Sequence, residues 1–451
     1  MLEKNQFYEA EITDITAEGN GVCKINGFAV FVPDTAPGDI IKLKIVKVLK
    51  NYAFGIINEI ILPSPFRIDS DCNVSGKCGG CIFRHISYEE ECRIKDNIVK
   101  NAFRRIGGLD PEFDSFIASD KISRYRNKAQ FPLAEIDGQA VCGFYAPRSH
   151  RVIPVHDCAL QPEIFSKITA CILDYINSHK ISVYNEASNS GIMRHIYLRK
   201  GEHSGEIMVC FVVRKNISRE LMPLCHRLQD KFSDIKSLVM NINPDKTNVI
   251  LGKTCITLAG NNCIKDKMCG NLISVSPLSF YQVNTIQAER LYNKAREYVQ
   301  PDSCLCIADL FCGAGTIGLS MADSNAHIIG IEIVSQAVEN AIENARNNNI
   351  LNADFYCGDA GDVFSELNIS GISPDVVLID PPRKGCSADT LNVIANSAPR
   401  KIVMISCNTA TAARDAKWLC NHGFSINKVC GADLFPRTGH VECVVLLTRN
   451  D

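Results

Sequence analysis

The last third of this chain constrains its fold most, because there short apolar runs alternate with helical stretches. Leu305 to Leu310, His327 to Ile331, Asp354 to Cys357, Val376 to Ile379, Ile402 to Ser406 and Val441 to Thr448 read as strands. Ser335 to Asn348 and Thr409 to Asn421 are the clearest helices between them, with Ala337, Val338, Ala341, Ile342 and Ala345 on one face of the first. Parallel strands need long crossovers, usually helical, so the alternation implies an α/β, doubly wound, mostly parallel sheet. Such sheets bind ligands beyond the carboxyl ends of their strands.

Four strand ends there carry chemistry. Asp309-Leu310-Phe311-Cys312-Gly313-Ala314-Gly315-Thr316-Ile317-Gly318 contains G-x-G-x-x-G between a strand and a helix, and Glu332 ends the next strand, where it can accept hydrogen bonds from ribose hydroxyls. This fits NAD as well as S-adenosylmethionine. Asp380-Pro381-Pro382-Arg383 ends the fourth strand, and two prolines make a rigid platform without amide donors, for which hydride transfer has no obvious use. Cys407, in Ser406-Cys407-Asn408, ends the following strand. Carbon 5 of uracil is too weak a nucleophile to take a methyl group unaided; a thiolate added to carbon 6 makes it strong enough. The carbon 5 proton must then be removed, and Glu442, at the start of the final strand, is the candidate base. The bland alternatives are a buried strand-end thiol and an exposed edge charge.

With 451 residues, 46% of them hydrophobic, the chain can build about three domains. Its 48 Lys+Arg nearly balance 50 Asp+Glu, so any RNA contact must be local. Charges near Met1 and the absence of an apolar run approaching roughly 20 residues favour a soluble, cytoplasmic protein. Twenty-two cysteines in a long, apparently unexported chain do not make a disulfide scaffold, and most should be reduced.

Ahead of the sheet, Phe7 to Ile15, Phe28 to Val32, Ile40 to Leu49 and Tyr52 to Ile61 read as strands of a small barrel within residues 1–61. An amphipathic segment from Tyr88 to Ile106 ends at Gly107-Gly108. From Arg93 through Arg151, 11 Lys/Arg outnumber 7 Asp/Glu, with Tyr125, Phe131, Phe144 and Tyr145 interleaved, which suits either an RNA-stacking surface or an ordinary solvated face. Phe165 to Cys263 carries no chemical signature and reads as scaffold. Cys72, Cys78 and Cys81 have C-x5-C-G-G-C spacing; with Cys158 they can hold zinc or a [4Fe-4S] cluster, between which spacing cannot choose.

Taken together, Ser279-Phe280-Tyr281-Gln282-Val283-Asn284, Asp309 to Gly313, Asp380 to Arg383, Ser406 to Asn408 and Gly439-His440-Val441-Glu442-Cys443 resemble, in order, the signature blocks of the RNA uracil-5 methyltransferase family. The resemblance implies a Rossmann-like S-adenosylmethionine-dependent methyltransferase domain over residues 266–451, with Cys407 as nucleophile and Glu442 as general base. It implies cofactor contacts from Gln282, Phe311, Glu332 and Asp380, with Thr316 and Asp359 as additions. Residues 1–61 resemble the TRAM barrel, an OB-like RNA-binding module, and Arg124-Tyr125-Arg126-Asn127-Lys128 resembles a family segment near the RNA. Residues 62–265 are then an α+β central RNA-binding domain, with its segment from about 88 to 115 as the candidate for packing on the catalytic domain. Family members with this cysteine pattern hold [4Fe-4S], which implies Cys72, Cys78, Cys81 and Cys158 as its ligands, in a structural role. Thr409 departs from the family, which usually has proline after Ser-Cys-Asn; this loosens the nucleophile loop without touching the chemistry. The barrel and cysteines together resemble the ribosomal members, so 23S rRNA is the expected substrate and tRNA the alternative; for oligomeric state the default is a monomer. Readings of other classes are adenine amino-group methylation, which needs no thiol, and an inactive RNA-binding or assembly factor, against which Cys407 and Glu442 both argue.

Overall fold

The computed structural model describes residues 2–303, 306–322 and 325–450; the expected strand start at Leu305 lies outside the described residues. The first sheet has six strands, in the order Phe7–Glu11, Ile40–Val48, Tyr52–Leu62, Phe28–Val32, Gly21–Ile25 and Asp14–Ile15. Ile41, Leu43 and Ile45 are fully buried, with Lys42 and Lys44 between them on the outer side, as the two-residue period of a strand dictates. The run expected from Phe7 to Ile15 breaks at a corner. Ile12 N–H donates to the Asp39 carbonyl and Thr13 N–H to that of Val22, so the chain changes partners at that point.

The central sheet runs Val152–Pro154, Gln139–Tyr145, Lys128–Ile136, Met193–Lys200, Ile207–Val213, Ile235–Ile242 and Thr254–Gly260. Helices Glu163–Ser178 and Ser218–Lys231 cover one face, where Phe165, Ile172, Leu221 and Leu228 meet Phe211 and Leu238. The other face is just as apolar. Tyr197, Met208, Cys210 and Val239 share a core with Leu291, Tyr292 and Ala295 of helix Thr285–Val299 and with Ile405 and Val444 of the last sheet. Burial on both faces explains the unbroken apolar Ile207–Val213, which periodicity alone leaves ambiguous.

The last sheet has the order Ala353–Cys357, His327–Glu332, Cys306–Leu310, Val376–Ile379, Lys401–Ser406, Glu442–Arg449, Phe424–Ala432 and Glu112–Phe113. This is a doubly wound, Rossmann-like arrangement, parallel except where Glu442–Arg449 runs antiparallel to both neighbours. Two of its strands were not anticipated: Phe424–Ala432, whose exposed polar positions interrupt the apolar pattern, and the two-residue Glu112–Phe113, which pairs with Lys428 and Val429. The expected Tyr88 to Ile106 helix is α-helical over Tyr88–Asn101 and then widens to a π turn over Ala102–Gly107, closed by Gly108 at φ 63°. A methyl on Gly107 would stand 3.4 Å from the Ala413 carbonyl, so this turn lies against helix Thr409–Cys420.

Helix Tyr88–Asn101 also fastens the loop before the last strand. Lys95 Nζ, fully buried, donates to Glu91 Oε1 and Asp433 Oδ1, each at 2.8 Å, and to the Phe435 carbonyl at 3.1 Å. Tyr88 donates to the other oxygen of Asp433, and Glu91 also accepts from the Arg437 amide. Taking one partner from a buried ion pair strands the other's charge, at a loss of about 3–5 kcal/mol. Asp433→Ala is therefore expected to destabilise the protein by about that amount, read as a lowered thermal midpoint, whereas Arg104→Ala, whose ion pair with Asp110 is exposed at both ends, should change stability by less than ~1 kcal/mol.

Candidate active site

Strands Cys306–Leu310 and Val376–Ile379 are parallel neighbours at the point where the strand order reverses, which opens a crevice beyond their carboxyl ends. The glycine turn frames one side. Gly313 and Gly315 adopt φ 56° and 77°, and Phe311 sits at φ 66°, a conformation a bulky residue enters only under constraint. Asp309 Oδ2 accepts from Gly318 N–H at 2.8 Å, and Glu332 Oε2 from Gly313 N–H at 3.1 Å, so both carboxylates hold the turn in place. Asp359 reaches less far into the crevice: its Oδ1 caps helix Ala360–Ile369 by accepting from Gly361 N–H at 2.9 Å.

Tyr292 links the remaining expected contacts. Its hydroxyl is buried; burial and the charge of Asp380 raise its pKa, and the neighbouring Thr316 and Gln282 side chains lower it. Nothing in the sequence marked it, because one tyrosine in an amphipathic helix reads as core. Asn127 Nδ2 donates to the Gln282 carbonyl at 2.8 Å and to Thr285 Oγ1 at 2.9 Å, fixing the start of that helix.

Across the crevice the antiparallel register does the positioning. Ser406 pairs with Cys443, so the next residue along each strand brings Cys407 opposite Glu442. Burial chiefly raises the Cys407 thiol, with Glu442 and Asp380 adding to the rise, while the Arg383 guanidinium lowers it through charge and a hydrogen bond. Glu442 is pushed up to about 8 by burial and then by Asp380, against the pull of Arg383. Asp380 is itself raised to about 7 by burial. Arg383 is thus the cation of this acidic pocket, a role its place after two prolines did not reveal.

The Cys407 loop is tightly held. Ser406 Oγ accepts from Asn408 N–H at 3.1 Å, Asn408 Nδ2 donates to the Arg383 carbonyl at 3.0 Å, and Asn408 Oδ1 caps helix Thr409–Cys420. Thr409 is the first residue of that helix, the position where proline is tolerated because its N–H would be unpaired anyway. The side-chain bonds of Ser406 and Asn408 fix the loop, so the loosening expected from Thr409 is compensated.

Cys72, Cys78, Cys81 and Cys158 gather elsewhere, in the wall of one cavity of about 70 Å3 with Arg84 and Arg126. All four are thiols, and among the described residues no group of three His, Cys, Asp or Glu stands in a metal-holding arrangement. Arg84 is buried, pairs with Asp71, faces Cys81, and leaves its Nη2 without a partner. The Arg124 to Lys128 segment lies close by and is largely occupied within the protein. Arg124 pairs with Asp157 at 2.6 Å and donates to the Cys158 and Gln161 carbonyls at 3.0 Å, while Tyr125 donates to the Pro436 carbonyl at 3.0 Å.

Comparison with known proteins decides the family. A model of the tRNA (uracil-5-)-methyltransferases matches residues 87–450. The chain belongs to this family. A TRAM domain model matches residues 2–57. An uncharacterized RNA methyltransferase of Clostridium tetani is 40% identical over 447 residues, 99% of this chain and 97% of the relative. One of Bacillus cereus is 39% identical over 449 residues, 99% and 98% of the two chains. Among solved structures, the Pyrococcus abyssi tRNA (uracil-54, C5)-methyltransferase in complex with S-adenosyl-L-homocysteine matches with a TM-score of 0.78 at 26% identity, covering 98% of this chain and 99% of that one. This chain is therefore an enzyme of the S-adenosylmethionine-dependent RNA uracil-5 methyltransferase family, with a Rossmann-like sheet and an N-terminal TRAM domain. Among the described residues no helix is long and apolar enough to cross a membrane.

Proposed function

We propose that the protein methylates carbon 5 of a uridine in RNA, with Cys407 as nucleophile and Glu442 as base. The observation that supports this most is the cross-strand placement of Cys407 and Glu442 beside Asp380 and Arg383. Cys407 sulfur bonds to carbon 6, and the electron pair displaced toward carbon 5 makes that atom nucleophilic. S-adenosylmethionine, when bound, supplies the electrophilic methyl group that carbon 5 takes up. Glu442 then removes the carbon 5 proton, and the returning electron pair restores the double bond and expels the Cys407 thiolate. Gln282, Phe311, Thr316, Glu332, Asp359 and Asp380 are the residues we assign to holding the methyl donor, Asp359 through whatever freedom its cap leaves it. Adenine amino methylation leaves this thiol–carboxylate pair without a use.

We also assign Cys72, Cys78, Cys81 and Cys158 to a [4Fe-4S] cluster. Their cavity of about 70 Å3 is several times the ~10–15 Å3 that a single water needs, and the unpartnered Arg84 Nη2 suits an anionic group ligated by thiolates. Its part is structural: the Cys158 loop is tied to Arg124, and the Cys72 to Cys81 loop leads into Ile82 and Phe83, whose amides donate to the Arg437 carbonyl. We assign the protein to the cytoplasm, on the reading of its cysteines as reduced and of its substrate as RNA of that compartment. For the substrate we favour 23S rRNA, on the barrel and cysteine pattern. The second reading, tRNA, is favoured by the Pyrococcus abyssi tRNA enzyme, which spans the whole architecture.

Four outcomes test this. RNA carrying 5-fluorouridine should trap the protein covalently, and Cys407→Ser should abolish both adduct and methylation. Glu442→Gln should accumulate adduct on unmodified RNA, seen on denaturing gels, because elimination stalls. Both groups must be deprotonated and burial raises both, so the single-turnover rate should climb between about pH 7 and about pH 9; a flat profile counts against the pair. Anaerobically purified protein should carry iron and sulfide, and their removal should lower the thermal midpoint; iron-free protein of unchanged stability would overturn the structural role.

A further inference from the structure

A large cavity lies apart from the crevice. It lies in the central sheet, has a volume of about 680 Å3, and includes Tyr145, His150, Arg151, Tyr184, Arg194 and His195 in its wall. Its floor is His195, 8% exposed, with neither ring nitrogen hydrogen-bonded. Beside it Arg194 is held by three backbone carbonyls, those of Asn243, Asp245 and Thr247, while its Nε has no partner. Buried polar groups are nearly always paired within a protein, so two adjacent unpaired ones aimed into one cavity mark a place for a ligand.

The backbone is shaped for this. The pairing of Met193–Lys200 with Ile207–Val213 slips between Met193 and His195, so that one extra residue, Arg194, is inserted. Such a bulge re-aims side chains. Met193 and Ile196 both reach the helix-covered core, three positions apart where regular alternation gives two or four, and Arg194 and His195 both turn to the cavity. The walls carry aromatic and basic side chains, with Glu135 and Glu186 also among the lining. Tyr184 lies under the Arg194 guanidinium at 4.4 Å, and Tyr145 stacks on His150 at 5.3 Å, with His150 anchored by Glu186 at 2.8 Å. Tyr145, His150 and Arg151 are exposed at the rim.

We propose that this cavity is a second RNA subsite, which takes one unstacked nucleotide of the substrate: its base between the tyrosines and over His195, its phosphate toward Arg151. The subsite rests on the reading of the protein as an RNA methyltransferase. An aromatic wall with a polar floor is how single-stranded bases are gripped and read. His195 is depressed to about 4, by burial first and Arg194 second, so at neutral pH it is uncharged and offers one donor and one acceptor to a base edge. The placement is apt. His195 and Arg199 lie on the same side of one strand, and Arg199 donates to the Ser279 carbonyl, at the head of the block that contains Gln282. Four residues of strand separate them, about 13 Å, or roughly four stacked nucleotides at ~3.4 Å each. The cysteine cavity abuts the same wall: Phe144 lines that one and Tyr145 this one, and the Tyr145 carbonyl accepts from Gly79 N–H at 3.0 Å.

The test compares the full-length parent with Tyr184→Leu and Arg151→Ala at the rim and His195→Leu on the floor, using rRNA and tRNA from cells lacking the enzyme. Tyr184→Leu and His195→Leu should each weaken RNA binding by about tenfold or more, and Arg151→Ala less, with kcat at saturating RNA and the KM for S-adenosylmethionine within about twofold of the parent. Tyr184→Leu and His195→Leu variants that are folded and bind RNA like the parent overturn the subsite. So does micromolar binding of free uridine or adenosine monophosphate to the cavity together with unaltered RNA affinity, which would make it a small-molecule site. The two readings fail separately: a parent that traps on 5-fluorouridine RNA while these variants bind normally loses only the subsite. A parent that never traps loses the methylation mechanism, and RNA affinity still reports on the cavity.

Discussion

The antiparallel pairing of Lys401–Ser406 with Glu442–Arg449 is the constraint on which the candidate site depends. In a sheet the register fixes which side chains face each other, and a slip of one residue would turn Glu442 to the other face. The register is held from outside the sheet as well. The loop before Glu442 is tied through Asp433 and Arg437 to Lys95 and Glu91 on a helix more than 300 residues earlier in the chain. A buried ammonium with three oxygen acceptors leaves that loop few alternative conformations.

The crevice gathers carboxyl groups where water is scarce. Asp309, Asp380 and Glu442 are all raised by burial, and Arg383 is the cation that offsets them at Cys407 and Glu442. Such a site favours a positively charged visitor, and a sulfonium methyl donor is one. Burial raises the Cys407 thiol as well as the Glu442 carboxyl, so the pocket favours the protonated form of both.

The central sheet joins these parts mechanically. One face packs on its own helices, and the other shares a continuous core with the last sheet, so the cysteine cavity, the large aromatic cavity and the crevice are set on one stiff framework. A nucleotide held at His195 and a uracil held at Cys407 would be kept at a fixed separation, which lets an enzyme of nearly balanced charge choose its RNA by geometry.

Much of the crevice was legible in the sequence because its residues sit in short contiguous blocks at strand ends, where chain order and spatial order coincide. The glycine turn, Asp380 to Arg383, Cys407 and Glu442 are of this kind. Tyr292, the Lys95 cluster, the strand Phe424–Ala432 and the aromatic cavity were not, because each is assembled from distant segments whose local patterns read as ordinary helix, loop or scaffold. Arg124 to Lys128 shows the limit from the other side: its charges suggested an open surface, and Arg124, Tyr125 and Asn127 are engaged in internal contacts. Local periodicity and turn residues were enough to read the strands that frame the crevice, where those strands end and which reactive groups stand at their ends. Only the tertiary structure decided which groups are buried together and left without partners, because burial and register arise from contacts between residues far apart in the chain.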